Sequence, residues 1–418
     1  MKIAYLAPEI PGLSSTFVNN EILWLEANGH TILPVSVHPT VNPENPGRLA
    51  ERTCYLYPLG LPSFLAATLH SLITRPGRLL RAAALLVADI FSPDVPGAYA
   101  VKLAYQFLAA NRLARILQQT GCAHLHVHFM NVPTQIGMYA AVLARIPFTV
   151  TAHANDIFDH PILLKTKSRR ASRIITISEY NREYLRQQGL AETKIAIVRC
   201  ATPSSGTLER PPPRKAHDTI RIGSLGRLVE KKGMDTLITC VGELVAAGTR
   251  VHLEIAGDGP LRQTLERQVA LLALGEHVTF RGEIRNEDVP AWLATLDIFV
   301  LACRTDARGD MDGIPVAIME AMAHHVPVVS TRLSGIPELV IHRQTGLLAE
   351  PGDAAGLAAQ IRALIDDPAW RQRLARQAHR HVSVEFGVET NIARLASVFR
   401  EAQNRHPASP TIRGDEQP

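Results

Sequence analysis

Two carboxylates, Asp312 and Glu320, stand eight residues apart in a stretch that reads Met-Asp-Gly-Ile-Pro-Val-Ala-Ile-Met-Glu-Ala-Met-Ala over residues 311–323. Pro315 suits the first turn of a helix, which places Asp312 in the preceding loop and Glu320 on the second helical turn. Free backbone N–H groups at a helix start favour an anion. The stretch therefore suits a sugar diphosphate, with phosphate on the amides and hydroxyls on the carboxylates. The alternative is an ordinary helix–strand unit with a solvated aspartate and a capping glutamate.

A basic loop follows the strand predicted over residues 220–225 and reads Gly-Arg-Leu-Val-Glu-Lys-Lys-Gly from Gly226 to Gly233. Its cations, Arg227 and Lys232 among them, can clamp a diphosphate without a metal ion, because both groups donate charge-assisted hydrogen bonds to phosphate oxygens. The loop is not a Walker motif, since the order G-x-x-x-x-G-K-[ST] is missing. A solvated basic turn is the alternative.

Polar side chains also follow two predicted strands of the first half. The hydroxyls of Ser15 and Thr16 come after the first strand, and His153 and Asp156 come after the strand predicted over 148–152. Because ligands of parallel α/β sheets bind at the carboxyl ends of the strands, we expect these side chains near a site. A core histidine is the alternative for His153, and the neighbouring Asp156 argues against it.

Three histidines, His124, His126 and His128, alternate along one predicted strand and therefore share one of its faces. Zinc can use such a spacing. However, no carboxylate or cysteine follows at short range to complete a ligand set. A polar rim at the end of the strand is the favoured interpretation.

Strands that alternate with helical segments position all these residues. The predicted strands cover residues 2–7, 31–37, 124–128, 148–152, 173–178, 195–200, 220–225, 251–256, 278–281, 298–302 and 326–331. Pro-Ser-Ser-Gly and Pro-Pro-Pro runs mark a linker over 203–218. The pattern predicts an α/β protein with parallel sheets and an interdomain cleft.

The predicted domain boundaries follow from that linker. The N-terminal domain covers residues 1–202 and the C-terminal domain covers 219–384. A helix over 385–402 is expected to pack back on the N-terminal domain, and a tail over 403–418, which is poor in apolar residues, is expected to be disordered.

Composition describes an ordinary globular chain of 418 residues with 46% hydrophobic and 20% charged residues. Five scattered cysteines without a C-x-x-C pair indicate a reduced, cytosolic compartment. Because Met1 runs directly into a strand, no signal peptide is expected. Residues 1–200 hold 19 Lys and Arg against 12 Asp and Glu. This basic half favours an anionic membrane surface or a phosphorylated acceptor over nucleic acid, for which no basic-aromatic motif exists.

Three apolar helical segments with interspersed arginines cover residues 61–73, 79–91 and 98–117. None has the roughly 18 uninterrupted apolar residues that a spanning helix needs. An amphipathic surface that rests on an anionic membrane is one interpretation. A helical layer packed on the sheet is the other, and both can hold for different faces.

Eight motifs stand in a characteristic order along nearly the whole chain. They are Ser-Thr-Phe-Val at 15–18, His-Val-His-Phe at 126–129, Thr-Ala-His-Ala-Asn-Asp at 151–156, Ile-Ser-Glu-Tyr-Asn at 177–181, Gly-Arg with Lys-Gly in 226–233, Ala-Gly-Asp-Gly-Pro at 256–260, the block 312–323, and Ser-Gly-Ile-Pro-Glu at 334–338. Together they resemble retaining glycosyltransferases of family 4 (glycosyl transferases group 1). Those enzymes have the GT-B fold, two Rossmann-like parallel-sheet domains facing an interdomain cleft. The first-domain set is most similar to colanic-acid-type exopolysaccharide enzymes.

The resemblance implies a role for each site residue. Arg227 and Lys232 would hold the nucleotide diphosphate and offset the charge of the leaving group. Glu320 would bind ribose hydroxyls, and His153 would position the transferred sugar. Asp312, Gly313 and Ile314 would contact the transferred sugar, and Gly282 and Ile284 would pack around the base. Acceptor or cleft positions would be Ser15, Thr16 and Asp156.

Three positions depart from the family pattern. Asp312 replaces the first of the paired glutamates and is one methylene shorter. His325 stands where a glycine is usual, and Gly12 lacks the second glycine of many members. Asp310-Met311-Asp312 also permits a rival reading, a D-x-D metal site of the other major glycosyltransferase fold. The cations at Arg227 and Lys232 and the two-domain pattern argue against it.

The resemblance implies transfer of a hexose from a nucleotide sugar to a lipid-linked glycan, with retention of configuration and without a metal cofactor. Because no residue is an obvious nucleophile, a front-face mechanism is expected. The enzyme would work in the cytoplasm, peripherally on the inner membrane face. Two rival functions are a nucleotide-sugar epimerase on the same fold and a non-catalytic partner that binds nucleotide sugar.

Overall fold

The structure, a computed structural model, describes residues 1–12, 16–39, 47–158, 161–201 and 219–405. The chain divides into two compact units. The first contains residues 1–177 and 182–198 and the chain from Ile392 onward, and the second contains residues 178–181 and 199–391. The predicted linker at 203–218 and residues 406–418 of the predicted tail lie outside the described part of the chain.

A seven-stranded parallel sheet forms the centre of the first unit, in the order β3-β2-β1-β4-β5-β6-β7. Its strands are β1 (Lys2–Ala7), β2 (Thr31–Ser36), β3 (Cys54–Tyr55), β4 (His124–His128), β5 (Phe148–Ala152), β6 (Arg173–Thr176) and β7 (Ile195–Ile197). The strands β1, β4 and β5 are almost wholly buried, because helices cover both faces of a parallel sheet. The strands predicted at 2–7, 124–128 and 148–152 are confirmed at both ends.

Helices follow these strands in the alternation that the sequence predicts. They are α1 (Thr16–Ala27), α2 (Gly47–Glu51), α3 (Gly60–Thr74), α4 (Pro76–Ile90), α5 (Tyr99–Gln119), α6 (Val132–Ala144), α7 (Ala154–Phe158), α8 (Leu164–Arg170) and α9 (Glu179–Gln187). The predicted apolar segments correspond to α3, α4 and α5. The core of the unit lies between the sheet and α5 and α6, with Leu113 and Tyr139 fully buried. Among the residues that the structure describes, no helix combines the length and apolarity that crossing a bilayer requires.

A six-stranded parallel sheet forms the second unit, in the order β10-β9-β8-β11-β12-β13. Its strands are β8 (Ile220–Leu225), β9 (Val251–Ala256), β10 (Val278–Gly282), β11 (Ile298–Val300), β12 (Val328–Thr331) and β13 (Leu347–Ala349). Its helices are α10 (Met234–Ala246), α11 (Arg262–Leu271), α12 (Val289–Ala294), α13 (Val316–Ala323), α14 (Ile336–Leu339), α15 (Ala354–Asp366) and α16 (Pro368–Glu385). The last helix, α17 (Val388–Asn404), belongs to the first unit from Ile392 onward.

The starts of α13 and β12 differ from the sequence prediction for local reasons. The helix α13 begins at Val316 because Pro315 is extended, with ψ 126°. The strand β12 begins at Val328 because the amide of Val326 still bonds to Ala321 O at the end of α13. The sequence prediction also missed β13 and α16. A three-residue strand has too little length to show a pattern, and α16 is rich in arginine and glutamine.

Candidate functional site

The basic loop after β8 is fixed by the loops that follow the neighbouring strands. The amide of Leu228 donates to Asp258 O at 2.9 Å, and the amide of Gly257 donates to Gly282 O at 2.7 Å. The loop closes at Gly233, which has φ 63°, and a Cβ added there would lie 1.8 Å from Ala302 O. Only glycine fits this position, so the backbone itself brings Lys232 against the end of β11.

Lys232 Nζ lies 2.6 Å from Asp312 Oδ2, which joins the basic loop to the loop before α13. Beside it, Lys231 Nζ lies 2.7 Å from Asp310 Oδ2 and 3.6 Å from Asp312 Oδ1. The buried thiol of Cys303 lies 3.5 Å from Asp312 Oδ2. Two ammonium groups and two carboxylates therefore form one compact cluster.

Charge pairing in this cluster outweighs burial. Burial by itself would raise the pKa of Asp312, but the ammonium groups of Lys232 and Lys231 lower it below its ordinary value. Burial likewise acts to lower the pKa of Lys232, but the Asp312 carboxylate raises it above its ordinary value. Both groups therefore stay ionised at neutral pH, and Lys232 keeps the positive charge that a diphosphate would require.

Two other predicted donor-site side chains make no polar contact with the described residues. Arg227 is exposed in the basic loop, and Glu320 is half-buried on α13. Burial raises the pKa of Glu320 from 4.5 to about 7. A half-buried carboxyl without a partner is costly, so Glu320 is available to a ligand that donates hydrogen bonds.

The backbone before α13 leaves amide groups for an anion. Gly313 and Ile314 are buried, and the amides of Gly313, Ile314 and Val316 donate to none of the residues that the structure describes. Gly282 ends β10 with φ 71°, and Ile284 is half-buried in the loop that follows. The second unit thus gathers Arg227, Lys232 and the α13 region at the carboxyl ends of its strands, as parallel sheets do with ligand-binding residues.

In the first unit, His153 directly follows β5 and is buried, so the expectation that its polar neighbours argue against burial is wrong. Its ring contacts those of Phe17 and Phe129, with centroid distances of 4.8 and 4.6 Å. His153 Nε2 lies 3.2 Å from His128 Nδ1. Burial, followed by the effect of His128, lowers the pKa of His153 well below its ordinary value, so the ring is neutral at pH 7.

The carboxylate of Asp156 accepts hydrogen bonds from backbone amides, including that of His153. One carboxylate oxygen accepts from the His153 amide at 2.7 Å, and the other accepts from the amide of Met130. Burial raises the pKa of Asp156 to about 7, and it lowers the pKa of the buried Lys167 nearby to about 7. Because both oxygens are engaged, Asp156 holds the turn after β5 in place. Its predicted role at the acceptor stays a prediction.

The three histidines of β4 are buried, and each has partners. His124 Nε2 and His126 Nδ1 lie 2.9 and 2.8 Å from Thr149 Oγ1. His128 Nε2 lies 3.1 Å from Glu21 Oε1. The sequence offers no carboxylate close to these histidines along the chain, and α1 supplies one from a distant position. The possible metal ligands of Glu21, His126 and His128 lie within 4.8 Å of one another. Their hydrogen bonds to protein groups favour a polar network over a metal centre.

The remaining predicted residues fall at the start of α1 and at the end of α13. Ser15 lies outside the described residues, and Thr16 begins α1 with a side chain that is also outside them. His325 has φ 57°, a conformation in which glycine is usual, and its ring stacks on His379 with a centroid distance of 3.9 Å. A histidine that stacks on His379 therefore stands at this position in place of the usual glycine.

Two family models match the chain. Residues 60–203 match the model described as Glycosyltransferase Family 4, and residues 219–367 match the one described as Glycosyl transferases group 1. WcaL of Escherichia coli K12, named as a colanic acid biosynthesis glycosyltransferase, is 35% identical over 269 residues, 64% of this chain and 66% of WcaL. AmsK of Erwinia amylovora, named as an amylovoran biosynthesis glycosyltransferase, is 39% identical over 183 residues, 44% of this chain and 45% of AmsK. The matched part thus spans less than two thirds of each relative.

The solved structure of Anabaena HepE in complex with UDP is similar to this chain with a TM-score of 0.70 and 19% sequence identity. The likeness covers 96% of this chain and 100% of the HepE chain. At this identity it concerns the fold alone. It confirms the predicted GT-B fold with its two parallel-sheet α/β units.

Proposed function

Because this chain belongs to the glycosyltransferases of group 1 and family 4, we propose that it transfers a hexose from a nucleotide-sugar donor to a glycan acceptor. The observation that carries the proposal is the contact of Lys232 with Asp312 at 2.6 Å. It brings together a cation for the diphosphate and a carboxylate for the sugar, from positions 80 residues apart in the chain. UDP in the HepE complex supports a nucleotide sugar as the donor class.

In this mechanism the second unit binds the donor. Arg227 and Lys232 contact the diphosphate, and the free amides at Gly313 and Ile314 extend the anion site. Glu320 accepts hydrogen bonds from the ribose hydroxyls. When the bond between the sugar and the diphosphate breaks, negative charge develops on the leaving oxygen, and these cations stabilise it more strongly than in the ground state.

Retention of configuration is part of the proposal. The candidate carboxylates of the second unit are Asp312, which two lysines neutralise, and Glu320, which is assigned to the ribose. Neither is poised as a nucleophile. We therefore expect a front-face reaction in which a donor phosphate oxygen assists the acceptor hydroxyl, while His153 positions the sugar.

We also propose that transfer needs no metal ion, and the same cluster supports this. In a D-x-D site both aspartates bind a divalent cation, but here Asp310 pairs with Lys231 and Asp312 pairs with Lys232. A metal would have to displace two ammonium groups from these carboxylates. The cationic loop instead supplies the positive charge that the leaving diphosphate requires.

The acceptor is proposed to be lipid-linked and to be met at a membrane surface. The region of α3 and α4 exposes large apolar side chains, including Ile73 on α3 at 73% and Phe91, directly after α4, at 80%. Arg81 on α4 is exposed, Arg75 between α3 and α4 is half-buried, and neither side chain pairs with a described residue. Apolar side chains beside unpaired arginines suit an anionic bilayer interface, where both kinds of group find favourable surroundings. The proposed location is therefore the cytoplasmic face of the cell membrane.

The names of the relatives support exopolysaccharide or cell-surface polysaccharide biosynthesis as the process. WcaL and AmsK are both named for the biosynthesis of such polymers. The residues described above recognise phosphate and hydroxyl groups that all nucleotide sugars share.

A donor screen tests the proposal. The protein is mixed with a panel of nucleotide sugars, and thermal unfolding is measured for each. A true donor at about a hundred times its Kd adds about 2.7 kcal/mol of stability. The stabilising donor is then incubated with lipid-linked acceptors, and release of free nucleotide diphosphate is measured. Release only with an acceptor supports transfer, whereas a changed sugar without release indicates an epimerase. Stabilisation without either reaction indicates a non-catalytic binding partner.

A further inference from the structure

A chain of hydrogen bonds connects His153 to the helix α1 inside the first unit. Tyr5 Oη lies 2.6 Å from Glu21 Oε1, and the same oxygen lies 3.1 Å from His128 Nε2. On the other side of the ring, His128 Nδ1 lies 3.2 Å from His153 Nε2. The rings of His128 and His153 are nearly parallel, with an interplanar angle of 17°. The chain therefore runs from a tyrosine through a carboxylate and two imidazoles.

The proton positions follow from the first member of this chain. Burial, followed by the Glu21 carboxylate, raises the pKa of Tyr5 well above its ordinary value, so the hydroxyl stays protonated and donates to Glu21 Oε1. The same oxygen must then accept from His128 Nε2–H. In a neutral His128 ring Nδ1 is unprotonated and can only accept, and it faces His153 Nε2. With His128 neutral, His153 carries its proton on Nε2.

The other nitrogen of His153 is left without a partner in the described protein. The hydrogen bonds of His153 to described residues are those to His128 and to Asp156, and neither involves Nδ1. Phe17 and Phe129 pack on the ring and offer no polar group to this atom. A neutral imidazole with its proton on Nε2 presents Nδ1 as a hydrogen-bond acceptor only.

We propose that Glu21 is a positioning residue which, through His128, holds His153 in the Nε2–H tautomer, so that Nδ1 accepts a hydrogen bond from one hydroxyl of the transferred sugar. This inference rests on the proposed function, which places His153 beside the sugar. It adds a rule of specificity. The sugar should carry a hydroxyl that donates at this position, and a substituent that cannot donate should lower kcat/KM.

The tautomer can be measured without any substrate. Nitrogen-15 NMR of the imidazoles distinguishes the two neutral tautomers and the cation, and the signals are assigned by their loss in His128→Asn and His153→Asn. We expect Nε2–H for both rings in the wild type at pH 7. In Glu21→Leu, which removes the acceptor, we expect a mixture of tautomers at both rings. A cationic His128 or an Nδ1–H tautomer of His153 in the wild type overturns the proposal, as do unchanged tautomers in Glu21→Leu.

Two further variants control for disturbance of the fold. Glu26→Gln changes a carboxylate of the same helix that pairs with Arg52 instead, and it should leave both tautomers unchanged. Tyr5→Phe removes the outer donor but keeps the carboxylate, so Nε2–H should persist. If Glu21→Leu does not fold, Glu21→Gln, whose neutral carbonyl is a weaker acceptor, takes its place. Tautomers in Glu21→Gln that match the wild type then count against the proposal.

Donor analogues test the consequence for the sugar. Each hydroxyl of the active hexose is replaced in turn by hydrogen and by fluorine, which cannot donate a hydrogen bond. At one position of the sugar, both analogues should lower kcat/KM of the wild type roughly three- to tenfold, which is the scale of one neutral hydrogen bond. The loss at that position should be clearly smaller in Glu21→Leu. Retained activity of every fluoro analogue overturns the acceptor role. If no donor supports transfer, the proposed function fails, while the NMR result still decides the tautomer.

Discussion

The ammonium of Lys232 and the carboxylate of Asp312 hold each other at 2.6 Å inside the second unit, at the carboxyl end of its sheet. The proposed diphosphate cation is therefore already paired before any donor binds. A donor phosphate has to share Lys232 with Asp312, whereas Arg227 is exposed and free of described partners. The two cations should for this reason respond differently to substitution.

Arg227→Ala should reduce kcat/KM by roughly 5- to 150-fold, the loss of one charged contact of 1–3 kcal/mol, and leave the melting temperature unchanged. Lys232→Ala should cause a comparable or larger loss of turnover and also lower the melting temperature, because Asp312 loses its partner. Steady-state kinetics and calorimetry measure both effects. Arg267→Ala, an exposed arginine on α11, is the control. Wild-type turnover in both site variants would remove the basic loop from the mechanism.

Transfer should persist in excess chelator, since the lysines of the basic loop occupy both aspartates of the Asp310-Met311-Asp312 triplet. The assay compares initial rates with and without chelator and then adds manganese. Loss of transfer that manganese restores would instead support the D-x-D interpretation. Lys231→Met adds a second comparison, because it removes the ammonium 2.7 Å from Asp310 Oδ2 and should create metal sensitivity if the carboxylates can bind a cation.

Glu320 should give the stability of the protein a pH dependence. Burial raises its pKa from 4.5 to about 7, so the folded state favours the protonated form. That contribution is fully present below about pH 4.5 and is lost as the pH rises through 7, at a cost of up to about 3 kcal/mol. Glu320→Gln should therefore be more stable than the wild type above pH 8, and the difference should vanish near pH 4. A difference that does not change with pH would contradict the raised pKa.

Membrane binding should depend on charge and on salt. Arg75→Glu with Arg81→Glu should weaken sedimentation with anionic vesicles by at least about 2 kcal/mol at low salt, since each basic residue near an anionic surface contributes about 1 kcal/mol. Donor affinity should stay unchanged, because the donor residues lie in the second unit. Arg267→Glu with Arg362→Glu is the matched control for net charge. Equal binding to neutral and anionic vesicles, or none to either, would show that α3 and α4 only pack on the sheet.

Asp89 should be essential for the stability of the first unit. Its buried carboxylate accepts from Arg170 at 2.6 and 2.8 Å and from the Tyr139 hydroxyl at 2.6 Å. Asp89→Ala leaves the Arg170 guanidinium without this partner and should cost about 3–5 kcal/mol in urea unfolding. Glu183→Ala removes an exposed ion pair with Arg186 and should leave the unfolding transition nearly unchanged. Similar losses of stability in both variants would show that the burial of an ion pair does not determine its contribution to stability.

The sequence by itself determined the fold class and marked the residues of the proposed second-unit site. Short apolar strands alternate with helical segments, and this pattern of parallel α/β sheets is local. It placed β1, β4, β5, β8 and β9 correctly at both ends. Asp312 and Glu320 could be found because one loop and one helix hold them. The glycines at both ends of the basic loop likewise marked the tight backbone that positions Lys232.

Only the tertiary structure decided which charged and polar groups meet. Glu21 reaches His128 across 107 positions of the chain, and Lys232 reaches Asp312 across 80. Parallel strands are joined by crossover connections, so neighbours in the sheet are distant in sequence and no local spacing reveals their contacts. Because local spacing does not reveal such contacts, the sequence marked His153 and Asp156 only as polar residues after a strand. Packing of α1 and β4 decided that one is a neutral ring held by His128 and the other a carboxylate engaged by backbone amides.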